Sequence, residues 1–278
     1  MKRLLITGAA GGLGTMARRR LPHLAEVLRL SDRGDLGEAA AHEEVVPCDL
    51  ANAAAVARLV DGCDGIVHFG GQSVEAPWSV IRASNIDGVV NLYEAARTGG
   101  CRRILFASSN HAIGFYRQTE RLDDRSPTRP DSFYGVSKVF GEAIASMYHD
   151  KFGIETASVR IGSCFPEPKD HRMLSTWLSE DDFVRLIERV FRVPVLGCPV
   201  IYGASDNAAT WWSNDHARYL GWRPEDSSEP FRAGLDARLG PPDPDAPASI
   251  WQGGTFAADG IHEDDDRPAT DPSERKDG

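Results

Sequence analysis

Six short runs rich in branched and apolar residues recur along the first part of the chain, with helix-length stretches between them: RLLITG (3–8), EVLRLSD (26–32), EVVPCDL (44–50), GIVHFGG (65–71), RILFASSN (103–110) and ETASVRIG (155–162). A strand with one wet face alternates apolar and polar residues. A strand covered on both faces reads as an unbroken apolar run, and such strands lie parallel, joined by crossover helices. The intervening stretches suit those crossovers: 12–21, DLANAAAVARLV (49–60), the amphipathic 77–97 and a segment near 134–150. The pattern predicts an α/β fold, a doubly wound parallel sheet with helices on both faces.

Past Gly162 the rhythm breaks. SCFPEPKDHRMLSTW (163–177) is too irregular for a strand and too broken by proline for a helix. A helix is expected near 180–192, followed by the strand-like VIYGAS (200–205), the aromatic ATWWSND (209–215), a proline-rich connector over 239–249, and QGGTF (252–256). The reading is a core over 1–162, a small C-terminal substrate lobe over 163–260 interleaved with it, and an acidic tail. That tail, 261–278, carries seven acids against three bases, two prolines and no apolar period, so it is expected to be disordered.

Charge and cysteine usage narrow the function classes. The net charge of −10 (31 basic, 41 acidic residues) is the wrong sign for a nucleic-acid footprint. No run approaches a membrane span, and the N-terminus has too short an apolar stretch for a signal peptide. The five cysteines, Cys48, Cys63, Cys101, Cys164 and Cys198, are scattered and contain no CxxC; the histidines show no HxxH or HExxH. Free thiols in a reducing cytosol are expected, and no metal.

TGAAGGLG sets Gly8, Gly11 and Gly14 as GxxGxxG between the first strand and the first helix, with Gly12 and Leu13 in the same turn. Glycines there permit a tight turn and close backbone approach, and the helix N-terminus offers free N–H groups to a pyrophosphate. This is the dinucleotide site of a Rossmann sheet. Asp32, at the end of the second strand, suits the ribose hydroxyls and repels a 2′-phosphate, which favours NAD; Arg33 beside it softens that repulsion. A helix cap or turn is the other role open to Asp32. Asp49 and Leu50, read as ending the third strand, would meet the adenine, and Gly70 and Gly71, ending the fourth, would let the backbone close over the cofactor.

FYGVSK places Tyr134 and Lys138 four residues apart, on one face of a helix. A neighbouring ammonium and a positive nicotinamide ring would lower the phenol from about 10 toward neutrality and make it a general base. Ser109, at a strand end 25 residues earlier, completes the set.

With those residues together the chain resembles the short-chain dehydrogenase/reductase superfamily in its extended branch, through TGAAGGLG, Asp32, Asp49-Leu50, FASSNH (106–111), YGVSK (134–138) and LGWRPE (220–225). The resemblance implies that Ser109 hydrogen-bonds the substrate oxygen, Tyr134 moves its proton and Lys138 holds the nicotinamide ribose. Asn85 falls where the superfamily often has a proton-relay asparagine, with plain helix packing as the alternative. Within that branch, HFGGQSVEAPW (68–78), FASSNHAIGFY (106–116), RIGSCFPEPKDHRMLSTW (160–177), LGCPVIYGAS (196–205) and QGGTF are similar to the uronate dehydrogenases. This implies NAD-dependent oxidation of galacturonate or glucuronate at C1 to an aldarolactone. The loop arginine Arg172 would grip the sugar carboxylate as a two-toothed fork, unless it pairs with Glu167 or Asp170. Ser73, Ser109, Asn110, His111 and Ser163 would hold ring hydroxyls; for His111 a satisfied polar role under a turn also stands. Cys164 would line the nicotinamide pocket or pack as a buried thiol, and Phe256 would cover the sugar or belong to the core. The superfamily pairs long helices between subunits, so a cytoplasmic homo-oligomer is expected, with 77–97 and 134–150 as the contact helices. Two other readings remain: an epimerase or reductase of another small sugar or sugar nucleotide, and a non-catalytic NAD-sensing protein on the same fold.

Overall fold

The computed structural model describes residues 1–261; apart from Ile261, the stretch expected to be a disordered tail lies outside the described residues. The six apolar runs become β1 (Arg3–Thr7), β2 (Val27–Ser31), β3 (Glu43–Val45), β4 (Gly65–His68), β5 (Arg103–Ser109) and β6 (Glu155–Ile161). A seventh, β7 (Val200–Gly203), joins them. Among the described residues these form one sheet in the order β3-β2-β1-β4-β5-β6-β7, every neighbouring pair parallel.

Two expectations need correction. VIYGAS, read as part of the substrate lobe, supplies β7, with Val159 opposite Ile201, so the sheet does not end at Gly162. A short apolar run carries no mark of which sheet it will join. The third strand, read to Leu50, stops at Val45. Val46 and Cys48 still donate to the Leu30 and Asp32 carbonyls, so extended chain runs on beyond the regular ladder, and Asp49 and Leu50 lie at the turn before the next helix.

Adjacent residues of a strand face opposite sides of the sheet, and the sequence fills both. Leu4, Ile6, Leu28 and Val159 pack with helices α1 (Gly12–Arg20) and, further on, α7 on one face; Leu5, Ile66, Ile104 and Phe106 pack with α2 (Ala53–Val60) and the helices named next on the other. The amphipathic stretch 77–97 forms α3 (Trp78–Ile81) and α4 (Gly88–Gly99), with a single π-helical segment, Arg82–Asp87, between them. The helix of the YxxxK pair is α5 (Phe133–Phe152). The Ser132 hydroxyl caps it by accepting from the Gly135 N–H at 3.0 Å, and Gly153 ends it in the left-handed conformation, φ 68°. The long loop holds one turn, α6 (Met173–Thr176), before α7 (Glu180–Arg192). Ser179 caps α7, acids fill its first turn and Arg189 and Arg192 its last, each matched to the helix dipole. A further helix, α8 (Arg232–Leu239), lies beyond.

The C-terminal segments add a small aromatic core of Ile113, Tyr116, Leu122, Tyr202, Trp211 and Trp212. Tyr202 stacks on Trp212 at 5.2 Å between ring centres, and Leu122 is tied by backbone bonds to Trp211 and Ser213. The lobe thereby rests on the end of β7. No described helix is long and apolar enough to cross a membrane.

Candidate active site

The carboxyl ends of β1 and β4 diverge in connection, one leading to α1 and the other to α3. Ligands of open α/β sheets bind in the crevice at such a switch point. Here the crevice is a cavity of about 800 Å³. Gly8, Gly11, Gly12, Leu13, Gly14, Asp32, Arg33, Asp49, Leu50, Gly70, Gly71 and Cys164 border it, as do Ser73, Ser109, Asn110, His111, Tyr134, Lys138, Ser163, Arg172 and Phe256. All the site residues singled out from the sequence, except Asn85, therefore meet around one space.

The cradle of the first turn admits only glycine at two points. Gly8 has φ +69°, and a Cβ there would lie 2.7 Å from the Gly70 nitrogen; a Cβ on Gly14 would lie 2.1 Å from the Gly8 carbonyl oxygen. The first amides of α1 have no carbonyl one turn back within the helix, and they border the cavity. Asp32 takes the turn role without leaving the cavity. Its Oδ2 accepts from the Ala10 N–H and its Oδ1 from the Gly34 N–H, each at 3.0 Å, and it still lines the cavity. Each oxygen keeps a second lone pair for a ribose hydroxyl. These residues fit a dinucleotide.

Tyr134 and Lys138 stand on one face of α5, the Lys138 Nζ 5.3 Å from the Tyr134 ring centre and donating to the Ala107 carbonyl at 2.8 Å. Ser109 beside Tyr134 favours the ionised phenol. The expectation joined the ammonium to the cofactor's positive ring; in the protein alone burial dominates. Desolvation pushes Tyr134 up to about 12, against the effect of Ser109, with Asp131 adding to the rise; it also pushes Lys138 down to about 8. In a low-dielectric site both groups favour their neutral forms.

Arg172 opens α6 and donates from Nη1 to the Gln252 carbonyl at 2.9 Å. Among the described residues it forms no ion pair, with Glu167, Asp170 or any other carboxylate. Burial lowers its affinity for the proton, opposed by the charges of Asp170 and Asp131. Phe256 packs against Tyr134 and stacks on His111 at 4.0 Å, and Cys164, its thiol pushed up to about 12 by burial, is a neutral wall group.

A sequence model of the NAD dependent epimerase/dehydratase family matches residues 4–180. The uronate dehydrogenase of Agrobacterium fabrum is 60% identical over 256 residues, 92% of this chain and 97% of its own. The chain belongs to this family, in its uronate dehydrogenase branch. A crystal structure of a uronate dehydrogenase mutant from Agrobacterium tumefaciens, complexed with NAD, superimposes with a TM-score of 0.94 at 59% identity, covering 95% of this chain and all of that one. The glucuronic acid dehydrogenase of Chromohalobacter salexigens does so with a TM-score of 0.92, covering 94% and 98%.

Two supports of this uronate dehydrogenase-like site, Glu75 and Gln252, carry no motif signal, and a third, Asn85, takes the packing role that stood as its alternative. The Glu75 carboxylate accepts from the Tyr134 N–H at 2.7 Å and the Phe133 N–H at 3.2 Å, holding the start of α5. Gln252 is fully buried. Its side chain accepts from the Trp212 indole and donates to the Arg117 and Glu120 carbonyls, while its own carbonyl receives both Arg172 and Asn110. Asn85, in the π-helical segment, has all four amide bonds taken: Oδ1 accepts from Gln72 N–H and Ser84 hydroxyl, and Nδ2 donates to the Gln72 carbonyl and Ser137 hydroxyl. It clamps the Gly71–Gln72 loop onto α5 and has no donor left for a relay. Glu75 and Gln252 sit inside quoted motifs, but nothing in their spacing marks them.

Proposed function

We propose that the chain oxidises an aldohexuronic acid, galacturonate or glucuronate, at C1 with NAD, giving the aldarolactone. One observation carries the reading: a dinucleotide cradle with Arg33 at its Asp32 end, the Ser109–Tyr134–Lys138 set and the guanidinium of Arg172, which has no carboxylate partner among the described residues, border the same cavity. One guanidinium answers one carboxylate; the diphosphate of a nucleotide sugar calls for several cations.

The ring form of a uronate carries a hemiacetal hydroxyl at C1. Tyr134 takes the proton of that hydroxyl, assisted by the Ser109 hydroxyl, as the C1–H bond breaks and C1–O becomes a carbonyl. The ring oxygen stays attached to C1, so the product is a lactone. NAD, when bound, supplies the hydride acceptor and a positively charged ring beside the phenol. Gly8, Gly11, Gly12, Leu13 and Gly14 would hold its pyrophosphate, and Asp32 with Arg33 its adenosine ribose. Asp49, Leu50, Gly70, Gly71 and Cys164 would flank it, and Lys138 would hold the nicotinamide ribose. At the sugar, Arg172 takes the carboxylate, Ser73, Asn110, His111 and Ser163 the hydroxyls, and Phe256 the ring face. Residues 163–260 contribute Ser163, Arg172 and Phe256 to the sugar-side wall. The exposed apolar side chains Trp78, Val80, Val136 and Met147 on α3 and α5 support a homo-oligomer, and five free thiols with NAD chemistry support a cytoplasmic setting.

The test is NADH formation from NAD with free galacturonate and glucuronate, set beside UDP-sugars. Turnover of the free acids is expected. Turnover of the UDP-sugars alone, or of neither, would sink the reading.

A further inference from the structure

His111 is the one imidazole bordering the active-site cavity among the described residues. Phe256 covers one of its faces at 4.0 Å, Tyr134 approaches edge-on at 5.7 Å, and its side chain is 12% exposed. Behind it lies a group that no motif marked. Asp131 Oδ2 is 2.8 Å from His111 Nδ1, and Asp131 Oδ1 accepts from the Ser132 hydroxyl at 2.9 Å. The Asp131 side chain is wholly buried. The chain makes room for it by omission: a Cβ on Gly114 or on Gly253 would stand 1.8 Å from Oδ2. Gly253 follows Gln252, whose carbonyl holds Arg172, so the carboxylate sits against the same turn as the carboxylate grip.

We propose that Asp131 is a positioning residue that acts through His111. It holds the imidazole with the proton on Nδ1 and so presents Nε2 to a hydroxyl of the bound sugar. A carboxylate accepts and does not donate, so the nitrogen facing it carries a hydrogen. Two nitrogens of one ring cannot be set independently: fixing the first decides what the second offers. Stacking on Phe256 fixes the ring plane and the carboxylate fixes rotation within it. Asp131 itself does not border the cavity, so its contact with the sugar passes through the ring, while its charge also acts on Tyr134 and Arg172.

The proposal rests on the uronate reading, and its test separates the two. In ¹⁵N-labelled wild-type protein, with the His111 signals identified by their loss in His111→Gln, Nδ1 is expected to carry the proton; a bare Nδ1 would overturn the proposal whether or not any sugar is turned over. In steady-state assays with galacturonate, Asp131→Asn should lower kcat/KM about 10- to 100-fold, the size of one misdirected buried hydrogen bond. NAD affinity should stay at the wild-type value. In the His111→Gln background the same substitution should change kcat/KM less than about twofold, because coupled residues are not additive. Equal losses in both backgrounds would make Asp131 a packing residue and end the proposal. If Asp131→Asn folds poorly, the wild-type spectrum still decides. A wild type that turns over no uronate, yet shows the Nδ1 proton, counts against the substrate and not against the pair.

Discussion

Replacing Arg172 tests the substrate assignment most directly. The guanidinium has five N–H donors in a fixed fork; Nη1 spends one on the Gln252 carbonyl at 2.9 Å. Enough remain for a two-pronged grip on a carboxylate. Each hydrogen bond to a charged group contributes about 1.5–3 kcal/mol, and the site around Arg172 is desolvated enough to lower its proton affinity, so water screens the pair less than it would on an open surface. Water and neighbouring donors will make good part of the loss. Arg172→Ala should therefore cost about 3 kcal/mol, or about 10²-fold in kcat/KM for galacturonate. Arg172→Lys keeps the charge but loses the fork and should recover only part of this, staying about tenfold below wild type. The assay is initial-rate NADH formation with galacturonate and, separately, with galactose, which has the same C1 hemiacetal and no carboxylate. The loss should fall on the acid and spare the neutral sugar, with NAD affinity unchanged. An equal loss for both sugars would refute the carboxylate grip.

Three further outcomes are expected. Because Tyr134 is pushed up to about 12 by burial, its phenolate fraction and hence kcat/KM should climb from neutral to alkaline pH; Tyr134→Phe should bind NAD normally and lose at least about 10²-fold in kcat, and retained turnover would remove Tyr134 as the base. His68, buried and pushed down to about 3, stays neutral in the fold but titrates near ~6.5 once unfolded, so the unfolded chain binds more protons between those values; stability should fall as pH drops below ~6.5, by about 2 kcal/mol at pH ~5. Denaturation midpoints measured against pH would show this slope, and a His68→Gln variant with an identical slope would rule His68 out as its source. Asn85→Ala should free the loop that Asn85 holds through Gln72, raising the Kd for NAD about tenfold or more; an unchanged Kd, measured by calorimetry, would mean the loop is set by other contacts.

Which parts of this molecule were legible in advance follows from how far apart the interacting residues lie. The glycine turn is written in eight consecutive residues and the Tyr134–Lys138 pair in one helical turn, because their chemistry depends on local backbone geometry. Two-sided burial likewise leaves its trace strand by strand, and six of the seven strands could be located from it. The four residues of β7 carry no record of their partner, and β3 reads longer than it is because extended chain that still bonds through Val46 and Cys48 continues past Val45. The supports of the site act across the chain. Glu75 reaches the start of α5 58 residues on, and Gln252 takes the Asn110 amide from 142 residues away. No spacing rule covers such distances.

The upward shift of Tyr134 has the same origin. A helical interval puts an ammonium near a phenol, but how the pair titrates depends on what else surrounds them, and Ala76 and Ile81 from one segment and Phe256 from a distant one exclude water. That exclusion raises the phenol, yet it also gives any positive charge placed beside the ring more leverage than it would have in water. Burial therefore works against the base in isolation and for it once the cofactor's charge is alongside. Opening the pocket wall should show both effects together: Phe256→Ala would admit water, bring the Tyr134 titration in the protein without cofactor closer to that of a free phenol, and reduce the effect of bound NAD upon it. An ultraviolet phenolate titration with and without NAD measures both quantities. If bound NAD lowers the Tyr134 titration equally in the wild type and the variant, desolvation is not what couples the phenol to its cofactor.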